Sequence, residues 1–327
     1  MILLMTGCAA MLGAPPDDDP TAVYDAMWSL VDERYVLFPE KAVDWDRVGE
    51  QGRAQLSAET SDEDLFTVMA ESLDALEDGH VNLDAGFDIS RHWDFFLDEP
   101  VGIDDEVIER DYLQDKQQIV GPFWLASLGE DDALTYLRLP SLSERIQGAD
   151  LSVLLDDLDD ADGAILDLRG NGGGSLDNAT AIASIFADQT RPTHSYIYKE
   201  GPGHLMRSAP DVVQTDPAER TFTRPLVVLT DARSYSAATA LSGMLRPMPH
   251  VTLLGQTTGG GAGIAQYHEL PNGWWIRIPT AAVADGDGAL LEDGLAPDFE
   301  VDFDRVRAVE DGVDTILEAA ITLLEEG

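Results

Sequence analysis

Lysine is nearly missing from this chain. Lys41, Lys116 and Lys199 are the only three among 327 residues, and 20 basic side chains in all face 62 acidic ones, for a net charge of −42. Phosphate contacts need a basic surface, so nucleic-acid binding is excluded as a function class. Cysteine is scarcer still. Cys8 stands alone, which rules out any intrachain disulfide. Past the N-terminus there is no run of roughly 20 apolar residues, the length a membrane-spanning helix needs. The acidic residues are spread along the whole chain and read as a solvated surface suited to high salt, where self-repulsion is screened. Calcium binding is the functional alternative for Asp17-Asp18-Asp19 and for Asp156-Asp157-Leu158-Asp159-Asp160. Neither run has the alternating oxygen spacing of a calcium loop.

What is present is enough for a full core, with 44% of residues hydrophobic; the length suggests one large domain and a smaller one. Met1 to Cys8 is a short apolar segment ending in Thr6-Gly7-Cys8, followed by a stretch rich in Pro and Asp. It resembles the end of a bacterial lipoprotein signal peptide, in which the cysteine becomes the lipidated residue, although no positive n-region precedes it. Residues 1–20 are therefore expected to be a signal remnant or tether. Residues 21–80 have helical spacing, with Tyr24, Met27, Trp28 and Val31 on one face and Leu65, Val68, Met69, Leu73 and Leu76 on another. Ser61-Asp62-Glu63-Asp64 is an acidic helix start between them, and the pattern runs to about Asp78. Residues 81–132 are mixed, with short strands or loops at 93–96 and 119–128. From 133 to 327 strands and helices alternate, which predicts a largely parallel sheet covered by helices. The strands expected there are 134–139, 163–168, 226–229, 251–254 and 276–278, the last after an Asn272-Gly273 hairpin turn. The expected helices are 146–158, 177–186, 237–245 and 316–324.

Four segments carry groups capable of chemistry. In Val227 to Ala237 a buried strand breaks through a polar turn into a small-residue helix, with Ser236 at the helix start. Free N–H groups and the helix dipole there can stabilise an oxyanion, though a serine is also a good N-cap. Ser234 is a rival nucleophile in the same turn. Asp78-Gly79-His80 places a histidine at an expected helix end, as a general base or as a structural residue. Gly172-Gly173-Gly174 follows a buried strand, where backbone N–H groups can face an anion. A P-loop is incomplete there, because its lysine and Ser/Thr are missing. Finally, Glu292 and Asp298 flank a turn in Leu291 to Asp298.

Together these segments resemble the tail-specific, or C-terminal-processing, serine protease family, which includes the core of tricorn protease. The resemblance spans about residues 22–303. It rests on Tyr24 to Trp28, Val43-Asp44-Trp45, Asp78-Gly79-His80, Leu166 to Gly174, Ser234 to Ala238, Gly255 to Gly261 and Gly294 to Asp298, in that order. It implies an α/β, crotonase-like spiral core with an N-terminal helical subdomain. The interval from His80 to Leu134 is short for an inserted PDZ domain, so none is expected. In the processing proteases a lysine about 25 residues downstream activates the serine; the matching position here is Gly261, and no lysine follows Lys199. A Ser–Lys dyad in that register is excluded. The tricorn-like branch uses histidine oriented by a carboxylate, and Ser236, His80 and Glu292 match those positions. The resemblance further implies an oxyanion hole from the Ala237 N–H and one from Gly173 or Gly174, with neither metal nor organic cofactor. The partner is then a peptide or protein substrate in the periplasm or cell envelope, with the membrane reached only through a lipid on Cys8. Retinoid-binding relatives share this architecture, so lipid binding without catalysis is the alternative.

Overall fold

The computed structural model describes residues 19–93, 96 and 98–326, so Cys8 and the expected tether up to residue 18 lie outside the described residues, while Pro20 already belongs to the first helix. By packing, the chain divides into two units. The first holds the residues up to His92 with Lys199–Arg207 and Ala265–Thr280; the second holds Trp93–Tyr198, Ser208–Ile264 and Ala281 onward. These units are not the contiguous segments bounded at 80 and 132. Two later excursions join the first unit, and residues 93–132 pack with the second.

In the first unit, α1 (Pro20–Arg34) buries Tyr24, Met27 and Val31, the face read from the sequence. Trp28 on α1 stacks on Trp45, which opens α2 (Trp45–Arg53), at 6.4 Å between ring centroids. Each indole N–H donates to the other residue's carbonyl, at 2.9 and 3.2 Å. The Ser61 hydroxyl caps α3 (Asp62–Asp74) by accepting the Asp64 N–H, and three acidic residues in the first turn favour the positive end of the dipole. A 2.9 Å contact between Tyr24 Oη and Ser72 Oγ ties α1 to α3. Helix α3 stops at Asp74, short of Asp78, and His80 does not end it. Glu77 takes a positive φ of 46°, and the Asp78 carboxylate accepts the His80 N–H, which turns the chain toward β1 (Asn82–Asp84). Antiparallel to β1 lie β2 (Ile89–Arg91) on one side and residues 275–277 on the other.

The second unit is built on a seven-stranded sheet. Its members are β3 (Gln118–Val120), β4 (Phe123–Leu128), β5 (Leu134–Arg138), β6 (Gly163–Asp167), β9 (Leu226–Thr230), β10 (Val251–Gly255) and β13 (Phe299–Glu300), ordered β13-β10-β9-β6-β5-β4-β3. Pairing is parallel from β13 to β5 and antiparallel beyond. Every residue of β5, β6 and β9 is buried, because both faces are covered. On one face Leu166 and Val228 meet α4 (Gly148–Leu158), α5 (Leu176–Phe186) and α6 (Ala237–Leu245). On the other, Ile165, Val227 and Leu229 meet α8 (Thr315–Glu326), which follows α7 (Arg305–Asp311). Each such side chain contributes about 1.5–3 kcal/mol by leaving water. Strands β7 (Arg191–Tyr198) and β8 (Asp211–Thr215) were not anticipated; β7 pairs with residues 281–285 of β12 (Trp275–Asp285). The Asn272-Gly273 turn joins β11 (Ile264–Glu269) to β12 as expected, with Gly273 at φ +87°. This is the mixed α/β fold that the resemblance implied.

Candidate active site

Ser236 sits at the break between β9 and α6 with φ 57° and ψ −118°, and its side chain does not cap the helix. That geometry sets aside the N-cap reading. A non-glycine residue so placed costs on the order of 1–3 kcal/mol and persists only where its surroundings impose it. Here they do. The Ser236 N–H donates to the Gly260 carbonyl at 2.8 Å, and the Tyr235 N–H to the Asn171 carbonyl at 2.9 Å. From inside α6, the Thr239 hydroxyl contacts the carbonyls of Ser234 and Gly260 and the Thr258 hydroxyl, all within 3.1 Å. A strained strand-to-helix turn of this kind holds a serine forward of its sheet. Ser234, the rival, is fully buried, and its hydroxyl donates toward the Leu168 carbonyl and Asp231.

The glycine loop after β6 lies directly against this turn. A Cβ added at Gly173 would stand 2.7 Å from Ser236 Cβ and 2.8 Å from the Ala237 nitrogen. Only a residue without a side chain allows that approach, and Gly173 also has φ +95°. Its N–H donates to Asn171 Oδ1 at 2.8 Å, while Asn171 Nδ2 donates to the Leu139 carbonyl. Neither the Ala237 N–H nor the Gly174 N–H has a hydrogen-bond acceptor among the described residues.

Two buried polar groups hold loop and turn together, and the sequence reading missed both. The Asp231 carboxylate accepts from the N–H groups of Gly102, Gly170 and Arg233 and from the Ser234 hydroxyl, at 2.8–3.1 Å. The fully buried Arg169 guanidinium pairs with Asp167 at 2.6 Å and Asp314 at 2.9 Å and donates to the Gly102 carbonyl. Burial pushes the Asp167 carboxyl up, but Arg169 and Arg138 more than offset it and leave its pKa lowered. The signal was an aspartate and an arginine framing Leu168 at the end of an otherwise apolar strand.

The loop Thr257–Gly261 closes the far side of the turn. A Cβ added at Gly261 would fall 2.1 Å from the Tyr235 ring, so the position where the processing proteases carry lysine is filled by another side chain. The Glu292 carbonyl accepts the Gly261 N–H at 2.9 Å, and Leu295 and Thr258 exchange hydrogen bonds. Half-buried Glu292 thus belongs to a segment fastened beside the serine turn. Asp298, the other acid of that segment, accepts the Leu253 N–H and lies 3.7 Å from Arg246.

His80 belongs to the first unit. It is 4% exposed, in the turn between α3 and β1. Asp78 shapes this turn, with Oδ1 accepting the His80 N–H at 2.8 Å and Oδ2 accepting the Tyr35 hydroxyl at 2.7 Å. Burial lowers the imidazole pKa from its ordinary 6.5 to about 4; Asp78 opposes the shift and Arg277 adds to it. The imidazole is therefore neutral at pH 7, the form that can accept a proton.

The sequence model for peptidase family S41 matches residues 133–301, more than half of the chain, and that for the tricorn protease C1 domain matches residues 16–74. The chain belongs to peptidase family S41. It is 28% identical over 176 residues to the carboxy-terminal processing protease CtpA of Bacillus subtilis, covering 53% of this chain and 36% of that protein. To the carboxyl-terminal-processing protease of Synechocystis it is 31% identical over 170 residues, covering 51% and 38%. The chain thus matches less than two fifths of the length of these curated relatives. The crystal structure of a putative peptidase from Parabacteroides merdae superposes with a TM-score of 0.87 at 35% identity, covering 94% of this chain and 97% of that one.

Proposed function

We propose that this protein is a serine peptidase that cleaves peptide bonds through an acyl-enzyme, with Ser236 as nucleophile, His80 as general base and Glu292 as the carboxylate that orients the imidazole. The observation that carries the reading is the positive-φ turn at Ser236, whose side chain does not cap the helix it precedes. A serine hydroxyl attacks poorly at neutral pH unless a base takes its proton during attack. In this reaction the Ser236 Oγ adds to the scissile carbonyl carbon while His80 accepts the hydroxyl proton. The carbonyl oxygen becomes an oxyanion at the start of α6, where the Ala237 N–H and that of Gly174 serve it, the Gly173 N–H being held by Asn171 Oδ1. Losing one such donor costs on the order of 3 kcal/mol. The tetrahedral adduct collapses as His80 returns the proton to the leaving amine, and water then hydrolyses the ester by the same steps in reverse. Glu292 fixes the tautomer and stabilises the imidazolium.

The cell envelope is the proposed location, on the strength of the segment ending in Cys8. No helix among the described residues is long and apolar enough to cross a membrane. The test is labelling by a fluorophosphonate probe, comparing wild type with Ser236→Ala and His80→Ala in low and high salt. Label is expected on the wild type and on neither variant. Labelling that survives Ser236→Ala would move the nucleophile elsewhere, and no labelling of folded wild type in either salt would reject the peptidase reading.

A further inference from the structure

A chain of buried polar groups runs from the start of the C-terminal helix to the serine turn, and the catalytic steps use only its far end. At the near end Asp314 caps α8, its Oδ1 accepting the N–H groups of Ile316 at 3.1 Å and Leu317 at 2.9 Å. Both oxygens of the same carboxylate lie 2.9 Å from Arg169 Nη1. Neither side chain of this pair is more than 1% exposed. From Arg169 the chain continues without a gap. Nη1 also donates to the Gly102 carbonyl at 2.9 Å, and the Gly102 N–H donates to Asp231 at 3.0 Å. Asp231 in turn accepts the Gly170 N–H, at the head of the glycine loop, and the Ser234 hydroxyl, two residues before Ser236.

Tyr112, on a π-helical turn at Ile108–Leu113, holds the near end in place. Its hydroxyl accepts the Asp314 N–H and donates to Glu318 on α8, both at 2.8 Å. The charges explain why Asp314 matters. Asp167, the other partner of Arg169, already serves Nε and Nη2 and accepts the Tyr136 hydroxyl. Without Asp314, Nη1 would keep only the Gly102 carbonyl. A buried charge short of a partner is strongly unfavourable, so the guanidinium would shift toward other acceptors. That shift would pull on Gly102 and, through Asp231, on the glycine loop and the serine turn. We propose that Asp314 is a positioning residue for the reaction at Ser236, so that seating of the C-terminal helix sets the oxyanion loop. It touches no reacting atom. The inference rests on the peptidase reading for its effect on labelling, while its effect on the loop is measured without it.

A chain of bonds marks only a route, and coupling along it is measured by how substitutions combine. In the full chain, Asp314→Ser keeps a hydroxyl to cap α8 but gives up the charge and the reach to Arg169. Leu317→Ala, the control, empties a fully buried site on the same helix and leaves these polar groups alone. Each is followed by urea midpoint, by fluorophosphonate labelling rate against probe concentration, and by amide exchange in residues 169–175. Asp314→Ser is expected to slow labelling at saturating probe at least about tenfold, with the half-saturating concentration held within about twofold, and to speed the exchange. Leu317→Ala should do neither, even at an equal drop in midpoint. Added to Asp231→Asn, Asp314→Ser should slow labelling by less than it does alone, because both break one network. Equal slowing by Leu317→Ala overturns the proposal in favour of a general loosening of the fold, and so do effects that simply multiply in the double variant. If Asp314→Ser does not fold, Asp314→Asn takes its place, and normal labelling with unchanged exchange in that variant is equally fatal. An unlabelled wild type sinks the peptidase reading alone, and exchange at 169–175 then decides whether α8 sets the loop.

Discussion

The serine turn and the histidine turn are built by opposite means. Ser236 is placed by main chain. Its own N–H and that of Tyr235 donate to carbonyls of two other loops, and small residues let those loops close in. His80 is placed by side chains, through one carboxylate that accepts both the His80 N–H and the Tyr35 hydroxyl. In the proposed mechanism the nucleophile must stand at a fixed distance from oxyanion donors, and close backbone packing supplies that rigidity. For the proposed base, burial holds the imidazole neutral, with its pKa lowered to about 4. The first arrangement should therefore fail through sterics and the second through lost hydrogen bonds or changed pH.

The largest effect should come from Gly173→Ala. The added methyl meets Ser236 and Ala237 inside 3 Å, and fluorophosphonate labelling is expected to slow about 100-fold or more, a displacement of the reacting atoms by a fraction of an ångström being enough. Should Gly173→Ala label normally, main-chain closeness would not be what places the serine. Asp231→Asn comes next. It keeps an acceptor for Gly170 but turns an amide toward the Gly102 N–H, which should cost about 1–3 kcal/mol. The readout is a lower denaturant midpoint together with labelling slowed roughly tenfold.

On the histidine side, Tyr35→Phe removes one bond to a charged acceptor. A loss of about 1.5–3 kcal/mol in stability is expected, with labelling slowed only several-fold because the His80 N–H keeps its contact with Asp78. A loss as deep as that of Gly173→Ala would erase the contrast between the two turns. The smallest effect is in pH. With the imidazole lowered to about 4, the labelling rate at pH 5.5 should stay within about twofold of that at pH 7.5, whereas a histidine near 6.5 would lose about tenfold. The same shift sets a stability trend. Above pH 6.5 the imidazole is neutral in both states and contributes nothing. Between 6.5 and about 4 the unfolded chain binds the proton that the folded one refuses, so stability falls by about 1.4 kcal/mol per pH unit. Urea midpoints across this range, compared with His80→Ala, measure it.

Much of the fold was legible because it is written locally. Four apolar residues in a row at 163–166 and at 226–229, each run short and closed by a polar residue, read as strands buried on both sides. Ser61 with three acids after it marks a helix start, and Asn272-Gly273 marks a hairpin. Strands β7, β8 and β11 were less legible, being mixed in exposure and without a clean alternation. The end of α3 was misplaced because a helical face continues to Leu76, and the turn that ends it depends on the Asp78 carboxylate bonding to His80.

The sequence by itself determined the excluded classes, the alternation of strand and helix, and the order of the segments that carry the family resemblance. Those features depend on residue type and short-range spacing alone. It also determined that no lysine could serve Ser236 from the position of Gly261. Only the tertiary structure decided that Ser234 is buried while Ser236 is held in a strained turn, and that Tyr235 fills the space beside Gly261. It alone joined Asp231 to Gly102 and Gly170, and Arg169 to Asp314. Burial, strain and long-range ion pairs depend on which distant segments meet, and no local pattern of residues encodes that meeting.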